Sequence, residues 1–204
     1  MGKPLITKYF VKTLRTARAL QFARHRRIDV LRKAHGFALI DMIFVTGVIG
    51  LLMSIAMPRL IMAKQSAGSA SAIGSMRTIG SAELTFALTC GGGFYAPNLS
   101  TLGTAPPTSH EPFITANLGS ADTVVKAGYT IQLTATPFAA APASCNGLAA
   151  GAAGQAWVAG ADPTDVSNSR FFATNANNMI YEDNATLYAT MPEVGAPLTG
   201  HILH

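Results

Sequence analysis

The apolar positions of this chain fall into three successive patterns. The first is a nearly continuous run from Phe37 to Pro58, FALIDMIFVTGVIGLLMSIAMP, in which Asp41 is the only charge. Apolar character resumes at Leu60, Ile61 and Met62 after Arg59. A helix needs roughly 20 apolar residues to cross a bilayer core, so this run predicts a helix of membrane-spanning length. In the second pattern Ile73, Met76, Ile79 or Gly80, and Phe86 recur at three- and four-residue spacing, with small residues at 67–72 before them. That spacing predicts an amphipathic helix continuing to about Leu88, with an apolar stripe suited to packing on a sheet. One helix from Ala38 to Leu88 would be about 75 Å long at the α-helical rise. That is too long for a compact domain of this size, so its first half is expected to bury itself in a bilayer or an assembly.

The third pattern has a period of two. Tyr129, Ile131, Leu133 and Ala135 alternate with Thr130, Gln132, Thr134 and Thr136, and predict a strand. A weaker strand is expected at Gln155–Ala161. Arg170–Thr174 and Met179–Tyr181, separated by Asn175–Asn178, predict a hairpin. Between helix and strands, Cys90-Gly91-Gly92-Gly93 stops the helix, because glycines adopt left-handed conformations at low cost. Residues 94–127 read as loops with short helices near Leu99–Leu102 and Ser120–Ala127. Pro137–Gly154 reads as an Ala/Gly/Pro-rich surface loop, and the stretch from Pro192 as irregular. The fold class expected is α+β: one long N-terminal helix, its second half packed on a small antiparallel sheet.

Charge changes this picture at one end. Of 15 Lys and Arg, ten lie in residues 1–36 against a single acid, Asp29, while residues 37–204 hold five against nine acids. Basic charge directly before an apolar run orients membrane insertion with the basic side in the cytoplasm. The remainder has no basic patch of the kind nucleic acid requires, so nucleic acid is not an expected partner. An ordinary secretory signal has a short basic region and an apolar stretch of about 7–15 residues. The long basic segment and the acid inside the run argue against it. A plain anchor explains the charge asymmetry but not Asp41, which costs about 2.5–3.5 kcal/mol on insertion scales and calls for a partner.

These residues carry a resemblance. Gly36-Phe37 followed by Ala-Leu-Ile-Asp, then an apolar helix reaching Met57-Pro58, resembles the N-terminus of type IV pilins and type II secretion pseudopilins. The likeness covers about 25 residues. It implies that a prepilin peptidase removes residues 1–36 by cutting after Gly36 and methylates the new amine of Phe37. It implies an assembly role for Asp41, at the position where the family usually has Glu, and for Gly50 and Pro58. With Gly47, these last two weaken the helix, and the resemblance makes the stretch one that can unwind during packing. The domains that follow are a basic leader (1–36), a transmembrane and assembly half-helix (37–62), an amphipathic half-helix (63–90) and a sheet-bearing head with long loops (91–204). The implied partners are the inner membrane, the peptidase, like subunits in a helical filament, and pilus or secretion assembly machinery. The leader would lie in the cytoplasm and the head outside it, with the filament in the periplasm or at the cell surface. A pilus subunit is the leading reading, a secretion pseudopilin the alternative, and a membrane-anchored extracytoplasmic binding protein the third.

The chemistry of the junction is coherent. Gly36 lets the scissile bond extend and approach a peptidase closely. Cleavage leaves a charged amine on Phe37, costly in an apolar assembly unless paired. The Asp41 carboxylate of a neighbouring subunit can meet it, with an attraction that grows as water is excluded. Asp41 also suits its own helix dipole, worth about 0.3–1 kcal/mol.

Cys90 and Cys145 both follow the apolar run and would lie outside the cytoplasm, where a disulfide between them is expected; two unpaired thiols are the alternative. No HExxH, CxxC, phosphate loop or nucleophile elbow occurs in the sequence, and the five His are scattered. No enzyme, cofactor or metal site is therefore expected. Glu182, Asp183 and Asn184 form a small acidic cluster that by the same resemblance could bind calcium. No EF-hand spacing supports this, and a solvated turn is the preferred reading.

Overall fold

A computed structural model describes residues 39–203. Helix α1, Leu39–Thr89, is followed by two short helices, α2 (Leu99–Gly103) and α3 (Ala116–Gly119). Six strands come next: β1 (Thr123–Lys126), β2 (Tyr129–Thr134), β3 (Val158–Pro163), β4 (Phe171–Asn175), β5 (Ile180–Asp183) and β6 (His201–Ile202). They form one antiparallel sheet in the order β1-β2-β3-β4-β5-β6, so every strand pairs with its neighbour in sequence. The chain divides into two units between Ala56 and Met57.

In the second unit the helical stripe buries as its spacing requires. Ala72, Met76, Ile79, Ala82 and Phe86 join Tyr129, Ile131, Leu133, Ala159, Ala161, Phe172 and Ile180 in one core. The alternation of β2 is the cleanest case: Tyr129, Ile131 and Leu133 are buried, while Thr130 and Gln132 between them are half-buried. The sheet's other face is covered too. Val158, Ala173 and Tyr181 pack there with Leu187 and Met191 from the segment after β5. This explains why β3 reads as a near-continuous apolar run rather than an alternation. Gly160 permits the close approach, since a Cβ there would lie 2.6 Å from Cβ of Tyr188.

The helix ends as the glycines dictate. The amides of Cys90 and Gly91 donate to the carbonyl of Phe86, and that of Gly93 to Ala87, with Gly92 and Gly93 at φ 61° and 93°. Sulfur atoms of Cys90 and Cys145 are bonded, with Cα atoms 4.9 Å apart. The bridge ties the helix end to the loop between β2 and β3. The amide of Cys145 also donates to the carbonyl of Cys90 at 3.2 Å.

Four expectations need correction. Ser120–Ala127 is not a helix: it holds β1, joined to β2 by a turn at Ala127 (φ 51°) and Gly128 (φ 82°). Two valines and a tight turn with both φ positive favour a hairpin over one isolated helical turn. The third strand begins at Val158, not Gln155, and runs to Pro163. The 137–154 segment is not wholly on the surface, because Ala141 and Ala153 are buried and Gly154 bridges to Tyr95 and Pro137. Finally, the stretch beyond Pro192 contributes β6, which pairs with Tyr181 and Glu182.

Candidate functional site

The proposed cleavage junction, Gly36 and Phe37, lies outside the described residues. The apolar run that follows lies on α1. Residues 39–64 are all exposed, among them Leu39, Ile40, Phe44, Leu51, Leu52, Ile55, Leu60 and Ile61. By length and composition this helix is able to cross a membrane. Asp41 sits in its first turn. Its polar side chains satisfy themselves locally: the Thr46 hydroxyl donates to the carbonyl of Met42 or Ile43, and Ser54 to that of Leu51. That is the arrangement an apolar surrounding requires, because no water is at hand to take the bonds.

Gly47 and Gly50 would each accommodate a Cβ with nothing within 4 Å. Among the described residues, packing does not require them. Pro58 lies inside the helix, which runs through it without a break. The lost amide leaves the carbonyl of Ser54 without its usual donor four residues on.

The acidic cluster does not converge. Glu182 lies on β5 and makes a two-pronged ion pair with Arg170, whose second nitrogen is 2.9 Å from Oε2. That hydrogen-bonded guanidinium holds the Glu182 carboxyl below its ordinary range. The Arg170 plane also lies over the Phe172 ring at 5.3 Å. Asp183 instead accepts from the amide of Asn184 at 2.7 Å. The trio is thus a strand end with one committed carboxylate, not a solvated turn. Among the described residues no three His, Cys, Asp or Glu side chains are grouped to hold a metal ion.

Two polar features escaped the sequence reading. Glu83 is fully buried; its Oε2 accepts from the amide of Ala96 at 2.8 Å and its Oε1 has no partner among the described residues. Desolvation pushes its carboxyl up from 4.5 to about 8, against the lowering effect of that hydrogen bond. The signal was available, since residue 83 lies four after Ile79 and three before Phe86, inside the buried stripe. The second feature is the Tyr129 hydroxyl, bonded to Ser69 at 2.9 Å, to Asn168 at 2.9 Å and to the carbonyl of Arg170 at 3.1 Å. It joins helix, sheet and the β3–β4 loop, and nothing in the sequence marks it.

Comparisons with protein-family models, characterised proteins and solved structures find no match for this chain.

Proposed function

We propose that the chain is the precursor of a filament subunit of the type IV pilin and pseudopilin kind, anchored and assembled through the first half of α1. The observation that carries this reading is the uncovered apolar surface of residues 39–62, with a single acid in its first turn. A helix apolar all round must be covered by lipid or by other helices. Asp41 gives a subunit one charge with which to find the amine of a neighbour, so a misplaced copy leaves two charges unpaired. The second half of the same helix is built into the head.

The reading is tested at the N-terminus. Mass analysis of the protein from a host with a prepilin peptidase should find a chain beginning at methylated Phe37. A start at Met1, or a cut after Ala56, sinks the proposal. Asp41→Ala should insert and be cleaved as usual but give few filaments; a normal filament yield refutes the pairing role. A deletion strain separates the two forms of the reading, lost surface fibres marking a pilus and lost exoprotein release a secretion pseudopilus.

A further inference from the structure

The second unit contains a cavity of about 290 Å³ beside α1, and its walls carry both signs of charge. Lys64 on the helix and Asp165 in the β3–β4 loop both line it. Among the described residues neither forms an ion pair within 4 Å; hydrogen bonds from Ser167 hold the Asp165 carboxyl below its ordinary range, and the Lys64 charge adds a smaller effect in the same direction. Ile61 supplies an apolar lip one turn before Lys64.

The walls are held independently of any occupant. Gln65 donates to the Ser167 hydroxyl at 3.0 Å, fixing the loop to the helix. Asp165 accepts from the Ser167 amide at 2.9 Å, which orients its carboxylate. Thr164 donates from its amide and its hydroxyl to the carbonyl of Gly128, at 2.9 and 3.0 Å. The carbonyl of Ala127 closes on Gly68, where a Cβ would be only 2.7 Å away. A cation and an anion lining one preformed cavity match a ligand that carries both charges.

Position supplies the source of that ligand. Lys64 follows Met62, the last residue of the anchoring stretch 39–62, by two residues in one helix, about 3 Å at the α-helical rise. Polar headgroup layers add roughly 5–8 Å on each side of a bilayer core about 30 Å thick. We infer that this cavity receives the headgroup of an ethanolamine phospholipid from the membrane that the helix crosses. The lipid phosphate faces Lys64 and its primary ammonium faces Asp165. The inference rests on the membrane reading of α1. An anionic glycerol headgroup would place no cation against Asp165, so the cavity selects the zwitterionic lipid.

The full chain is reconstituted into vesicles of equal parts phosphatidylethanolamine and phosphatidylglycerol. Insertion is read by flotation, and lipid retention by native mass spectrometry after gentle extraction. The expected result is co-flotation with preferential retention of phosphatidylethanolamine. Lys64→Ala should reduce retention of both lipids, and Asp165→Asn should abolish the preference. Each exposed charge contact is worth about two- to fivefold in retention. Arg59→Ala removes a cation near the same apolar run but outside the cavity, and should leave the preference unchanged. Both cavity side chains are exposed, and circular dichroism verifies that the variants fold. Co-flotation with no preference, or with a preference that survives both cavity substitutions or is lost in Arg59→Ala, overturns the cavity assignment while the anchor stands. A chain that does not float overturns both.

Discussion

Helix α1 contains two kinds of apolar surface. Residues 39–62 are apolar on every side and every one is exposed. Between residues 72 and 87, exposure alternates with burial at helical spacing, and the buried set meets the sheet. Where apolar residues recur around the whole circumference, the described residues supply no partner; where they recur on one side, the sheet supplies one. Hydrophobicity alone does not tell the two apart, but angular distribution does.

The sharpest break of this comparison is a pair of truncations. Phe86 is fully buried against Phe113, ring centroids 5.3 Å apart, whereas Leu52 is 63% exposed. Phe86→Ala should destabilise the head by about 3–5 kcal/mol in denaturant unfolding. Leu52→Ala should leave the head's transition unmoved. Equal effects from the two would mean that both halves answer to one core.

A second test uses charge in place of volume. Each half of the helix contains one acid, Asp41 exposed and Glu83 buried. Because burial raises the Glu83 carboxyl to about 8 in the fold, the folded state holds a proton that the unfolded chain gives up near 4.5. Stability is thus greatest below the unfolded value, falls as pH rises between the two, and levels off above the folded one. The decline should amount to a few kcal/mol. Glu83→Gln should flatten the profile in that interval and exceed the parent above it. Unfolding curves measured across this range check the sign; a parent that gains stability over it contradicts the assignment.

The smallest effect is expected from glycine. Gly68→Ala drives a Cβ against the Ala127 carbonyl and should cost about 1–3 kcal/mol, seen as a lowered midpoint. Gly50→Ala meets nothing within 4 Å among the described residues. It should leave the head's melting unchanged and raise helix propensity by up to about 1 kcal/mol. On the proposed filament, a loss of yield in that variant would then report packing between copies.

What was legible in the sequence follows the same division. Periodicity exposed both halves of α1, the alternation of β2, and the β4–β5 hairpin around Asn178, whose φ of 57° suits an asparagine turn. The Cys90–Cys145 bridge followed from compartment and count. β1 was lost because four residues are too few for alternation to declare itself, and because its turn places an alanine where glycine or asparagine would signal one. β6, two residues long, has no pattern to find and exists through pairing with β5. The cavity walls were invisible for another reason: Lys64 and Asp165 are a hundred residues apart, and only the closure of the β1–β2 turn and the Gln65–Ser167 bond brings them to one place.

The sheet order has a consequence for how the head is made. Each strand pairs with the one synthesised just before it, from β1 through β6. A chain delivered N-terminus first can add strands as they arrive, leaving only a single open edge to be extended at any moment. The final short strand and the segment that covers Val158 and Tyr181 come last. The outer face of the sheet is therefore sealed only when the chain has been made through Leu187 and Met191, and a head truncated before Leu187 would display that unsealed face as a mark of incomplete synthesis.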